Sequence, residues 1–371
     1  MEMTFRWFGK DDDSIPLSYI KQIPKVSGVV GGIFDIPAGE VWPLERIFKL
    51  KKQVNDYGLK LEVIESVNIH EDIKLGLPSR DTYIKNYQET IRHLAQAGVK
   101  VICYNFMPVF DWTRSDLAKR LPDGSTVLAY EKEKFTDTDP HELVQKIEQS
   151  SNGFSLPGWE PERLSAIKKL FKQYEHVSEE DLFDHLQYFL ENIIPVAEEC
   201  GIKMAIHPDD PPWSVFGLPR IVTNENNLQR ILQLVDHPSN GLTLCSGSLG
   251  ASAQNDVPEI FRNFIKQGRV PFVHIRNVKR YDNGDFFETS HCSTDGSLDM
   301  YQLVKVLHDH NYSGYVRPDH GRMIWGEEGR PGYGLYDRAL GIMYLYGIWD
   351  SLGRTNGTKE LSVDDKQASQ S

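Results

Sequence analysis

Tyr315-Val316-Arg317-Pro318-Asp319-His320-Gly321-Arg322 opens as a short β-branched and aromatic strand and breaks at a glycine, with acid, base and cation crowded at the break. An Asp-His pair at a strand end offers a metal ligand and a proton carrier side by side. Alone, the stretch reads equally well as a polar turn after an edge strand. Three earlier segments end in comparable residues: Met204-Ala205-Ile206-His207-Pro208, Leu242-Thr243-Leu244-Cys245-Ser246-Gly247 and Phe272-Val273-His274-Ile275-Arg276. Each of the four supplies one good metal ligand, namely His207, Cys245, His274 and Asp319. They fall about one strand–helix unit apart, the separation expected of successive parallel strands joined by crossover helices.

Working outward, the same rhythm runs through most of the chain. β-Rich runs at 3–8, 26–33, 60–67, 99–106, 203–208, 241–245, 270–278 and 314–318 alternate with amphipathic stretches. The helical ones include 43–58, opened by Pro43, 80–97, closed by Gly98, and a long helix capped by Ser178-Glu179-Glu180-Asp181. Eight strands with helices between nearly all of them predict a (β/α)8 TIM barrel, and no Gly-rich dinucleotide turn follows the first strand. An open doubly wound sheet is the alternative. The rhythm breaks once, at about 107–175. Pro122-Asp123-Gly124-Ser125 marks a hairpin-type turn there, so an insertion after the fourth strand is expected. A last helix over 335–352 carries Tyr344, Tyr346 and Trp349, a surface available for self-association. The reading is one barrel domain over 1–352, including the insertion, and a loose polar tail over 353–371.

Composition narrows the function classes. The chain has 371 residues, 40% hydrophobic and 25% charged, with a formal net charge of −12 and no basic block. That balance argues against nucleic-acid or anionic-membrane partners and leaves a small-molecule substrate. Cys103, Cys200, Cys245 and Cys292 are scattered without a CxxC pair, so reduced thiols in a cytoplasmic protein are expected. The N-terminus lacks a signal-peptide pattern, and no apolar run is long enough to span a bilayer.

In a barrel, active sites form at the C-terminal strand ends, so four adjacent strands can aim His207, Cys245, His274 and Asp319 at one point. Each alone has an ordinary packing explanation; the joint pattern is harder to assign to chance. Two imidazoles, a thiolate and a carboxylate suit Zn²⁺ or Fe²⁺. Strand alternation places Arg276 on the face of His274 and Arg317 on that of Asp319. Arg276 is then placed to hold an anionic substrate group with its fork of donors, and Arg317 reads as a structural arginine. His320, one residue past Asp319, is free to act as acid or base. The glycine-flanked loop Gly329-Arg330-Pro331-Gly332-Tyr333-Gly334-Leu335-Tyr336 can set a tyrosine over the barrel mouth. The insertion carries Phe110-Asp111-Trp112-Thr113-Arg114, a lid in which Arg114 adds a charge toward substrate. Glu65 and His70 lie near the third strand end.

On these residues the chain resembles the mannonate dehydratases of hexuronate breakdown, a metal-dependent barrel family similar to the xylose isomerase group. The resemblance covers nearly the whole chain. It is carried by Met3-Thr4-Phe5-Arg6-Trp7-Phe8-Gly9, by the segment from Tyr104 through Arg114, and by His207-Pro208-Asp209-Asp210-Pro211-Pro212. Cys245-Ser246-Gly247-Ser248, His274-Ile275-Arg276-Asn277-Val278 and Arg317-Pro318-Asp319-His320-Gly321 complete it. It implies conversion of D-mannonate to 2-keto-3-deoxy-D-gluconate and water with Mn²⁺ or Fe²⁺. It also implies His207, Cys245, His274 and Asp319 as ligands, and His320 with a nearby tyrosine, Tyr333 or Tyr336, as proton-transfer residues. A sugar isomerase or epimerase on the same barrel, a metal-dependent nuclease and a non-catalytic sugar-acid binding protein are the competing readings.

Overall fold

The computed structural model describes residues 1–136 and 161–355. Eight parallel strands close into a barrel: β1 (Glu2–Arg6), β2 (Val26–Gly31), β3 (Lys60–Glu65), β4 (Val101–Tyr104), β7 (Lys203–Ile206), β8 (Asn240–Cys245), β9 (Phe272–Ile275) and β12 (Tyr315–Pro318). The order follows the chain, and β1 pairs with β12 to close the ring. The expected (β/α)8 barrel is therefore the architecture, and the doubly wound alternative falls. Except for β8, the strands are shorter than the apolar runs that announced them, because the run ends turn away from the sheet as loops.

Side chains alternate across each strand. One set, including Met3, Phe5, Val29, Ile64, Ile102, Ile206, Leu244, Val273, Ile275 and Val316, joins the large core between sheet and helices. The other set makes a small cluster inside the barrel: Val30, Val63, Val101, Cys103, Ala205 and Phe272. Two residues further along the same strands come Glu65, His207 and His274. Apolar residues thus plug the barrel, and the next layer toward the mouth is polar and ionisable.

Outside the barrel, helix Leu44–Asn55 starts after Pro43 and helix Glu179–Glu199 starts at a full capping box. Ser178 Oγ accepts from Asp181 N at 3.1 Å, and an Asp181 carboxylate oxygen accepts from Ser178 N at 2.9 Å. Ser178→Ala is expected to cost about 1 kcal/mol of stability, read as a lower denaturant midpoint with unchanged activity.

The interruption after β4 begins with the segment expected to act as a lid. Strands β5 (Asp116–Arg120) and β6 (Thr126–Tyr130) form a hairpin around the Pro122-Asp123-Gly124-Ser125 turn. They extend into a four-stranded antiparallel sheet with β10 (Val278–Arg280) and β11 (Phe286–Glu288). The sequence reading ran 270–278 as one strand. The chain instead leaves the barrel at Arg276-Asn277, and Val278 begins the second lid hairpin. Thr126 and Met323 exchange backbone hydrogen bonds of 3.1 and 2.8 Å, fastening the lid to the loop that follows His320. Of the rest of the expected insertion, Glu133–Thr136 and Pro161–Tyr174 are helical and residues 137–160 lie outside the described residues, as does the tail from 356. The last helix, Leu335–Thr355, runs three residues beyond its expected end. Tyr344, Tyr346 and Trp349 lean on the core, and the exposed apolar residues of that helix are Tyr336, Leu340 and Met343. Among the described residues no helix is long and apolar enough to cross a membrane.

Candidate active site

Register brings the four expected ligands together. Cys245 pairs with His274 across β8 and β9, and Arg317 pairs with His274 across β9 and β12. His207 follows β7, its N–H donating to Tyr104 O at 2.7 Å, and Asp319 follows β12, its N–H donating to Ile275 O at 3.2 Å. Ligand atoms of His207, Cys245, His274 and Asp319 all lie within 4.8 Å of one another. His207 Nε2 is 3.1 Å from His274 Nδ1, and Cys245 Sγ is 3.4 Å from Asp319 Oδ2. Such a cluster of unlike donors, largely buried, fits a divalent cation.

The surroundings prepare the donors. Burial disfavours the Cys245 thiolate. The Arg276 charge and hydrogen bonds from His207 and His274 outweigh burial and the adjacent Asp319, bringing the thiol down to about 5. Ser248 adds its N–H at 3.4 Å and its hydroxyl at 3.1 Å to the sulfur. Burial likewise opposes the Asp319 carboxylate, but Arg317, His320, Arg276 and His274 hold it well below the usual range. Burial disfavours the His207 cation, but its hydrogen bond to Cys245 and the neighbouring negative charges lift it to about 9. Glu65 lies 3.4 Å from His274 Nε2 and takes the Arg317 fork at 2.9 and 3.1 Å. A carboxylate behind an imidazole is the usual support for a ligating histidine.

Next to this cluster His320 and Tyr333 meet, with His320 Nε2 2.9 Å from the Tyr333 hydroxyl. Tyr333 is buried, edge-on to Phe8 at 4.9 Å. Gly332, at φ +77°, makes the bend that turns Tyr333 inward. Arg338 grips the loop by donating to the backbone oxygens of Tyr333 and Gly334. Tyr336 is 42% exposed and packs on Trp325, so of the two candidate tyrosines only Tyr333 reaches His320. Burial, reinforced by Asp319, keeps the Tyr333 phenol protonated well above its ordinary range.

The two arginines expected to meet substrate stand one layer back. Arg114 holds Asp210 by two bonds of 2.9 and 3.0 Å and Glu288 at 2.8 Å. Arg276 donates to Asp210 at 2.6 Å, to Ser248 at 3.0 Å and to Glu288. Its Nε lies 3.0 Å from Asp319. Both side chains are fully buried, and neither lines the cavity above the cluster. Gly247 permits this arrangement: a Cβ there would sit 2.3 Å from Arg276 Nε. His70 caps the short helix Glu71–Lys74 and stacks on Tyr83.

That cavity, open at the mouth, is lined by Arg6, Glu65, Tyr104, Asn105, Asp111, Trp112 and Arg317, together with His207, Asp319, His320 and Tyr333. Arg6, Asp210 and Glu288 were not singled out in the sequence. Arg6 sits two residues beyond Thr4 on β1, so strand alternation carries a signal for it. Asp210, in the uncommon His-Pro-Asp-Asp-Pro-Pro run, was also within reach. Glu288 carries no local signal.

Comparison with known proteins gives the family. The family model described as D-mannonate dehydratase (UxuA) matches residues 1–359. A mannonate dehydratase of Geobacillus thermodenitrificans is 68% identical over 100% of this chain and 99% of its own length. Mannonate dehydratase 1 of Halalkalibacterium halodurans is 63% identical over 98% of this chain and 100% of its own. The crystal structure of mannonate dehydratase from Streptococcus suis serotype 2 superposes with a TM-score of 0.88 at 46% identity, covering 99% of each chain. A xylose isomerase domain protein from Planctomyces limnophilus, at 11% identity and a TM-score of 0.55, shares the fold alone. With a model match over nearly its full length and relatives of such identity, the chain belongs to the D-mannonate dehydratase family.

Proposed function

We propose that the protein dehydrates D-mannonate to 2-keto-3-deoxy-D-gluconate in hexuronate catabolism, with Mn²⁺ or Fe²⁺ held by His207, Cys245, His274 and Asp319. The observation that carries this reading is the contact between His320 Nε2 and the Tyr333 hydroxyl, beside a four-donor cluster of which His207 and Asp319 line the same cavity. Dehydration across C2–C3 of a sugar acid needs a base for the C2 proton and an acid for the departing C3 hydroxyl. His320 and Tyr333 are the adjacent pair that can carry these two protons. The C2 proton leaves to one of them, and the C3 hydroxyl takes a proton from the other and departs as water. The C2–C3 enol left behind ketonises. A divalent cation in the cluster supplies stabilisation for the negative charge that develops next to the carboxylate.

Arg6 is the residue we assign to the substrate carboxylate. It lines the cavity, is 2% exposed, and makes one hydrogen bond, Nη1 to Val30 O at 3.2 Å. Its remaining N–H groups have no protein acceptor among the described residues, whereas Arg114, Arg276 and Arg317 are engaged by carboxylates. Phe8 and Phe34 hold the guanidinium from the side, at 4.5 and 5.3 Å. Arg6→Lys keeps the charge and loses the fork. A rise in KM of about tenfold or more is expected, the worth of a hydrogen bond to a charged group. An unchanged KM removes Arg6 from substrate binding.

The reading is tested by incubating the metal-loaded protein with D-mannonate. A 2-keto-3-deoxy acid should form, the activity should vanish with a chelator, and Mn²⁺ or Fe²⁺ should restore it. Formation of an epimer or isomer without loss of water would replace the dehydratase reading, and binding without turnover would leave a sugar-acid binding protein. The unpaired Cys245 thiol at the centre of the site fits a reducing compartment, and we place the protein in the cytoplasm.

A further inference from the structure

Glu288 ends β11 on the underside of the lid and is fully buried. Its Oε1 accepts from Arg114 Nη2 at 2.8 Å and from Arg276 Nη1, and lies 2.7 Å from His320 Nδ1. Arg276 Nη1 is itself 3.0 Å from the same imidazole nitrogen. These two contacts to Nδ1 make opposite demands. A carboxylate only accepts, so its contact requires a hydrogen on Nδ1; a guanidinium only donates, so its contact requires a lone pair there. The shorter contact joins a ring N–H to a charged acceptor, and Arg276 Nη1 already has Glu288 as its own acceptor. The carboxylate therefore prevails.

We infer that Glu288 is a positioning residue, whose carboxylate keeps the His320 proton on Nδ1 and so presents an unprotonated Nε2 to Tyr333 and the cavity. The Tyr333 hydroxyl then donates to Nε2 across 2.9 Å. Burial opposes ionisation of Glu288, but the charges of Arg276 and Arg114 and the hydrogen bond from His320 keep its carboxyl below the ordinary range, as the role demands. With Glu288 removed, Arg276 Nη1 is free to donate to Nδ1. The proton then moves to Nε2, and Tyr333 loses its acceptor. Among the described residues the second Glu288 oxygen has no hydrogen-bond partner, and Oε1 is the point where both arginines and His320 converge.

The effect on rate rests on the dehydratase reading, but the effect on the tautomer does not, and the test separates them. Protein labelled with ¹⁵N-histidine and loaded with Zn²⁺, a diamagnetic ion, is examined by NMR, with His320 assigned by its loss in His320→Asn. The expected wild-type signature is a protonated Nδ1 and an unprotonated Nε2. In Glu288→Ala the proton should appear on Nε2, with metal content unchanged, kcat on D-mannonate down about 10²-fold or more and KM within about threefold. Glu288→Gln keeps an acceptor oxygen and should retain the wild-type tautomer and a larger share of the rate. A wild-type His320 protonated on Nε2 alone or on both nitrogens overturns the inference, as does a Glu288→Ala protein that keeps the proton on Nδ1. If Glu288→Ala does not fold, the wild-type spectrum still decides. If wild-type protein leaves D-mannonate intact, the dehydratase reading falls while the spectra still judge Glu288.

Discussion

Asparagine in place of His320 is expected to lower kcat by about 10²–10⁴-fold while leaving metal content at the wild-type level. The imidazole touches Glu288 on one side and Tyr333 on the other, and its Nε2 lies 3.8 Å from an Asp319 carboxylate oxygen. It is therefore placed to move a proton without helping to hold the cation. Tyr333→Phe should show the same pattern, because removing one hydroxyl leaves the buried ring against Phe8 and takes away the partner of His320 Nε2. Metal analysis beside kcat separates this account from a supporting one. Were His320 only a prop for Asp319, His320→Asn would lose metal along with activity. Were Tyr333 only a packing residue, Tyr333→Phe would be nearly silent. Tyr336→Phe, at an exposed position, serves as the control and should leave kcat unchanged.

The second large effect belongs to Cys245. Cys245→Ser exchanges a thiolate for a neutral hydroxyl at the centre of the donor cluster. Metal affinity should fall by more than the roughly 10–100-fold typical of losing a mere supporting residue, and activity should fall with it. The barrel itself should survive, because Cys245 contributes little apolar surface to the core that the neighbouring Leu242 and Leu244 help to build. Metal content measured against chain concentration, with circular dichroism as a fold check, decides the point. Full occupancy in Cys245→Ser would remove the cysteine from the ligand set.

What could be read from the sequence follows from what is local. Each strand end is a short-range signal, an apolar run stopped by a polar residue and a turn. His207, Cys245, His274 and Asp319 were visible for that reason, and the repeat spacing told that they converge. The helix starts at Pro43 and Ser178 were legible on the same grounds. Arg276 and Arg114 were recognised as charges near the site, but their direction depends on partners far along the chain. Asp210 and Glu288 reach them from a loop after β7 and from a lid strand. Glu288 itself sits at the end of Phe286-Phe287-Glu288, which reads as an ordinary edge-strand residue. Its own partner is Val278 in the local β10–β11 hairpin, and the pairing of β11 with β6, across more than 150 residues of sequence, joins that hairpin to the strands after β4. The choice between Tyr333 and Tyr336 turned on one backbone bend at Gly332, which composition does not reveal.

X-ray absorption on the metal-loaded protein tests the central claim most directly. If His207, Cys245, His274 and Asp319 hold the cation, the spectrum at the metal edge must show a mixed shell of nitrogen and oxygen with one sulfur scatterer, and the sulfur must vanish in Cys245→Ser. A shell of oxygen and nitrogen alone in the wild-type protein would place the cation elsewhere and contradict the account.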